Sequence, residues 1–125
     1  KEKIKVDYRA MPHAIFSSPQ VASVGMTEQE LQDKKIKYVV GKYNYHDTAM
    51  GLAIEDKEGF VKILVEPKTR KILGCHILGT DASTLIHEVI VVMKAGLGVS
   101  GITGAVHVHP ALSEVIQRAF ESVEY

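Results

Sequence analysis

The stretch from Lys71 to Leu78 constrains this chain more than any other. Ile72, Gly74, His76 and Leu78 alternate with Leu73, Cys75 and Ile77, so an extended backbone here is largely apolar on both faces. Such a strand belongs in the middle of a sheet. Just before it, Gly59 to Glu66 sets Val61, Ile63 and Val65 on one face, and Pro67-Lys68-Thr69-Arg70 turns the chain back, which predicts an antiparallel hairpin. Val21-Ala22-Ser23-Val24, closed by Gly25, and the Tyr- and Val-rich run Ile36 to Tyr45 supply further strands. His46 to Gly51 reads as an irregular connection. Tyr43, Tyr45 and His46 fit cross-strand packing better than a binding face.

Helices lie around these strands. Thr27 and Glu30 have the spacing of a capping box and predict a short helix ending near Lys35. Ala82 to Ala95, preceded by Asp81 and closed by Gly96, reads as a capped helix. Leu85, Ile86, Val89, Ile90 and Met93 make a full apolar stripe, which Val91 and Val92 carry around most of the circumference. A helix apolar nearly all round needs cover on both sides, and the sheet offers only one. Other protein, from further domains or a second copy, is expected on the other. A last helix is predicted from about Pro110 to Ser122, burying Leu112, Val115, Ile116, Ala119, Phe120 and Val123. A mainly antiparallel sheet with helices packed on it is an α+β domain.

The 125 residues suffice for one domain with its own core. Fifteen basic residues balance fifteen acidic ones, which disfavours nucleic acid and anionic membrane as partners. No apolar run approaches the roughly 20 residues of a membrane span, and Lys1 to Lys5 does not read as a signal peptide, so a cytoplasmic location is expected. The single cysteine, Cys75, excludes an internal disulfide and any paired-cysteine motif, and its apolar strand suggests a buried hydrophobe. His76, on the same strand, reads as a hydrogen-bonded structural residue. Gly96, Gly98, Gly101 and Gly104 fit neither a dinucleotide fingerprint nor a phosphate loop and suggest close backbone packing.

Chemistry concentrates in Val106-His107-Val108-His109-Pro110-Ala111-Leu112-Ser113-Glu114-Val115. Proline pushes the residue before it toward extended geometry, so His109 should stand outside the helix. Its ring can then fold back toward Glu114, a base with an orienting carboxylate. On the residues alone, a second explanation stands beside this one: Pro110 and Glu114 are also what a helix start and its dipole prefer. His107 and His109 would project the same way from an extended chain, but with only Glu114 as a local third ligand a metal site is disfavoured.

His107-Val108-His109-Pro110-x-x-Ser113-Glu114 resembles the C-terminal signature of the flavin-dependent pyridine nucleotide–disulfide oxidoreductases, nearest to the dihydrolipoamide dehydrogenase type. Pro12 to Glu28 resembles the opening of that family's interface domain, and Ile72 to Gly79 its middle strand. The resemblance implies that residues 1–125 are a homodimerisation domain, expected to be cut from a longer flavoenzyme whose FAD and NAD(P) domains and redox disulfide lie elsewhere. It assigns His109 as the acid–base for the partner subunit's dithiol, Glu114 as its orienting residue, and the backbone of His109 and Pro110 to the edge of the partner's FAD, with a cis bond between them. His107 receives no catalytic role. Ala111 departs from the threonine often found there. The isolated domain is expected to lack activity and tightly held flavin. Glutathione-type reductases share the constellation, whereas mercuric reductases end in cysteines that this chain lacks. The rival from another class is a stand-alone binding or assembly module without catalysis.

Overall fold

A computed structural model describes residues 3–125. Five strands, β1 (His13–Ile15), β2 (Gln20–Gly25), β3 (Val39–Asn44), β4 (Phe60–Val65) and β5 (Ile72–Gly79), form one sheet in the order β1-β2-β5-β4-β3. All neighbours are antiparallel. The strand apolar on both faces, β5, is the central one, as expected. The hairpin with β4 forms through Pro67 to Arg70, with a register shift at Leu64 and Val65.

Ala22 and Val24 of β2, Val61, Ile63 and Val65 of β4, and Cys75 and Ile77 of β5 point into one buried core. Two helices close it: α3 (Ala82–Ala95) lies over β2 and β5, and α5 (Glu114–Glu121) lies over β3 and β4. From α3 the core takes Ala82, Ile86, Val89 and Val92; from α5 it takes Val115, Ile116, Ala119 and Phe120. The opposite face is only partly covered. There α1 (Glu28–Asp33) sits over one end, its start fixed by the expected Thr27–Glu30 capping box and Lys62 bonded to Glu28 at 2.8 Å. His76 is a structural residue on this face: its Nε2–H donates to the carbonyl oxygen of Met26 at 3.0 Å.

Several boundaries differ from the sequence expectation. Residues 46–51 are not irregular: a 3-10 turn at Tyr45–Asp47 leads into α2 (Ala49–Ala53), capped by the Thr48 hydroxyl. Tyr45 opens that turn just after β3 and is fully buried, its hydroxyl donating to the Thr80 carbonyl at 3.0 Å. Asp81 does not cap α3 with its side chain. Gln20 does that work from β2, its amide oxygen accepting from the Ser83 backbone N–H and hydroxyl. The glycine-rich crossing contains a short helix, α4 (Ser100–Thr103), and two of its glycines serve close packing: a Cβ on Gly98 (φ +65°) would meet the Arg70 backbone, and one on Gly101 would meet Val92 and Leu97, whereas Gly96 (φ +71°) has nothing within 4 Å and serves the turn that ends α3.

The last helix begins at Glu114, four residues later than Pro110. Ala111 to Ser113 form a tighter turn closed by three-residue bonds, Glu114 N–H to Ala111 at 3.3 Å, Val115 N–H to Leu112 at 3.0 Å and Ile116 N–H to Ser113 at 3.1 Å. The position of α5 is set at its other end. A Cβ on Gly41 would collide with the Ala119 carbonyl oxygen, so only glycine lets α5 ride this close to β3. Ser122 Oγ then accepts from the Lys42 N–H at 3.1 Å. These contacts hold Glu114 at a fixed height above the sheet.

Candidate acid–base site

His109 and Glu114 meet as the sequence predicts. Nδ1–H of His109 donates to Oε1 of Glu114 at 2.9 Å, while Oε2 of the same carboxylate accepts from the Ala111 backbone N–H at 3.1 Å. Each oxygen thus has its own donor. The Glu114 side chain is only 12% exposed, yet the His109 ring is 69% exposed. Bonding from the His109 ring, then the Ala111 N–H, holds the Glu114 carboxyl below the usual carboxylate range against the opposing effect of burial.

The two nitrogens of His109 therefore face different surroundings. Nδ1 is tied to the carboxylate; Nε2 has no protein partner among the described residues. An imidazole oriented through one nitrogen and open at the other can take up and release a proton at the open one. The His109–Pro110 bond is cis, as is Ser18–Pro19. Beside the pair lies a shallow polar depression bordered by Tyr43, Asp47, Thr48 and Arg118. The depression is not legible in the sequence, where Tyr43 reads as a packing residue, because Tyr43, Asp47 and Thr48 lie more than sixty positions before His109 and only Arg118 is local.

His107 and His109 are not used together. The side chain of His107 is turned inward, 5% exposed, with Nε2 2.6 Å from Oε1 of Glu88 on α3. Among the described residues no three His, Cys, Asp or Glu side chains cluster in a way that could hold a metal ion. Cys75 is completely buried, and burial pushes its thiol up, away from the reactive thiolate. Of the crossing glycines, Gly98 and Gly101 pack against Arg70, Val92 and Leu97, whereas a Cβ on Gly96 would meet nothing within 4 Å; His109 and Pro110 are exposed.

Comparison with known proteins gives one consistent answer. Residues 11–120 match the model of the pyridine nucleotide-disulphide oxidoreductase dimerisation domain. Mitochondrial dihydrolipoyl dehydrogenase of Pisum sativum is 39% identical over 114 residues, 91% of this chain and 23% of the relative. Mycothione reductase of Mycobacterium tuberculosis is 40% identical over 117 residues, 93% of this chain and 26% of the relative. Among solved structures, LpdA of Mycobacterium tuberculosis shares the fold at a TM-score of 0.89 and 22% identity, over 97% of this chain and 26% of that one. The HOCl-induced flavoprotein disulfide reductase RclA of Escherichia coli superimposes at a TM-score of 0.87 and 28% identity, over 93% of this chain and 27% of that one. The chain spans about a quarter of the length of the relatives it matches. An antiparallel sheet carrying two helices, a match over residues 11–120 and these relatives agree: the chain belongs to the dimerisation-domain family of the pyridine nucleotide-disulphide oxidoreductases.

Proposed function

We propose that this domain is the homodimerisation domain of an FAD-dependent, NAD(P)-linked disulfide oxidoreductase of the dihydrolipoamide dehydrogenase type, and that it lends His109 to the dithiol site of the partner subunit. The observation that carries the reading is the His109–Glu114 bond of 2.9 Å on a ring that is 69% exposed. A ring this exposed, oriented at Nδ1 and unpartnered at Nε2 among the described residues, is open to a group supplied from outside the domain.

In this reading Nε2 takes the proton from a thiol of the dithiol substrate, leaving a thiolate, and the resulting imidazolium is stabilised through Nδ1–H by the Glu114 carboxylate. The proton returns by the same nitrogen in the reverse direction. FAD and NAD(P), held by other domains of the parent enzyme, would carry the electrons. Exposed apolar residues support a subunit contact. Val91 on α3 is 65% exposed, Val106 100%, Val108 74% and Leu97 59%. Val91 lies one turn beyond Glu88, and Glu88 holds the segment bearing Val106 and Val108. An apolar area of this kind rarely stays bare.

Turnover in the intact flavoenzyme tests the reading. His109→Gln is expected to lower dithiol oxidation by about 10² or more while flavin content and dimer stay native. A variant that keeps its rate, or that loses flavin or the dimer instead, would remove His109 from the chemistry. Sedimentation of the 125-residue chain at micromolar concentration should show a symmetric dimer; a strict monomer would mean that this domain alone does not carry the contact.

A further inference from the structure

His107 has no part in the chemistry just described, yet it is the better buried of the two histidines, 5% exposed against 69% for His109. Both of its ring nitrogens face acceptors: Nε2 lies 2.6 Å from Oε1 of Glu88, and Nδ1 3.2 Å from the carbonyl oxygen of Ala105. A ring with an acceptor at each end cannot turn about its own axis without losing a contact. The plane of His107 is therefore fixed, and with it the path of the backbone that carries the ring.

That matters because little else fixes this path. Residues 104–113 form neither helix nor strand. Among the described residues, no backbone–backbone hydrogen bond involves residues 106–110. Val106 and Val108 do not anchor the segment by packing, being 100% and 74% exposed. The His107 bond to the Ala105 carbonyl is local, so two side-chain bonds tie the segment to the rest of the domain. His109 to Glu114 ties the segment to α5, and His107 to Glu88 ties it to α3.

We propose that His107 and Glu88 are positioning residues, whose bond sets where the His109 ring stands relative to α3. The inference rests on the proposed acid–base role of His109 and deepens it. A base that serves a dithiol across a subunit contact must be placed relative to the helix at that contact, and α3 is the helix we assign there. The bond to Glu114 orients the ring; the bond between His107 and Glu88 locates it. Misplacement by an ångström at a reacting centre costs up to about 10²-fold in rate.

The test uses Glu88→Ala and Glu88→Gln. Glu88 lies on a helix with its side chain 30% exposed, and alanine is a stronger helix former, so both variants should fold. In the intact flavoenzyme Glu88→Ala is expected to lower kcat for the dithiol about tenfold, with KM, flavin content and dimer unchanged. Glu88→Gln, whose amide oxygen still accepts from the ring N–H, should recover most of the rate. Full activity in Glu88→Ala, or no recovery in Glu88→Gln, overturns the proposal. In the 125-residue chain, NMR relaxation should show faster motion of the 106–110 amides in Glu88→Ala, with α5 unchanged. Unaltered order there also overturns it. Because the relaxation readout does not depend on catalysis, the failure of the acid–base role, seen as full activity in His109→Gln, stays distinct from failure of the positioning bond.

Discussion

Replacing Glu114 by glutamine changes no shape and removes one charge, and the structure states what must follow. In the native site both carboxylate oxygens accept, one from His109 Nδ1–H and one from the Ala111 N–H. Glutamine has one oxygen and one NH2. Its oxygen must face the Ala111 N–H, because an NH2 there would set donor against donor. The NH2 then points at His109 Nδ1, which must become an acceptor, so the proton moves to Nε2. The predicted result is a reversed tautomer, with the nitrogen proposed to accept the substrate proton now blocked by its own proton in the neutral ring. Hydrogen bonds to a charged group contribute about 1.5–3 kcal/mol and neutral ones about 0.5–1.5. Exchanging two of the first kind for two of the second should cost about 2–3 kcal/mol. The cost also has a pH dependence of known sign. The folded-state pKa of Glu114 is depressed, by the His109 bond first and the Ala111 N–H second. The stability it contributes is therefore present above the unfolded glutamate value of about 4.3 and lost as pH falls through the folded value. Urea unfolding of both proteins at falling pH should show a full gap at neutral pH that starts to close below the unfolded value of about 4.3 and goes on closing as Glu114 takes up its proton. Other carboxyls held low, among them Glu28, Glu30 and Glu66, titrate in both proteins and cancel in the difference. A gap of constant size, or ring 15N shifts that keep the proton on Nδ1 in Glu114→Gln, would refute the reasoning.

Three further outcomes are expected. Cys75 should react with a thiol reagent only at the rate of unfolding, since it is fully buried and burial pushes its thiol up; fast labelling of the native domain would contradict its placement in the core. Phe120→Ala should destabilise by about 3–5 kcal/mol, because the ring is 1% exposed between α5 and the sheet; a urea midpoint within error of the parent would show that the helix is not seated as described. Gly74→Ala should lower the thermal midpoint, as its Cβ would run into the Met26 carbonyl oxygen, the same oxygen that accepts from His76. Melting at the parent temperature would mean that the chain over β5 is loose.

The sheet was legible where periodicity and burial coincide. On β5 the run Ile72 to Gly79 is apolar on both faces and central in fact, and Val61, Ile63 and Val65 are all fully buried as their alternation implies. What could not be read depends on distant partners. Asp81 looks like a cap for α3, but Gln20, sixty residues earlier, takes the place, because β2 brings its amide to the helix start. Residues 46–51 look irregular; a buried Tyr45 and the Thr48 cap fold them into a turn and a short helix. Strand β1 carries no apolar alternation of its own and exists through pairing with β2.

At the site, His109 and Glu114 were legible because five positions and a proline are local geometry. Glu88 was not, since nothing in the sequence marks the single glutamate of α3 as the partner of a histidine nineteen residues on. From the residues alone, a capped helix start and an oriented base compete to explain Glu114. In the structure they occupy different oxygens of one carboxylate: Oε2 closes the turn at Ala111, and Oε1 takes the imidazole. The turn holds the carboxylate still, and only a carboxylate held still can fix a ring that projects 69% into solvent. The helix start is thus the support on which the proposed acid–base pair depends, and removing the Ala111 bond should disorder His109 even with Glu114 intact.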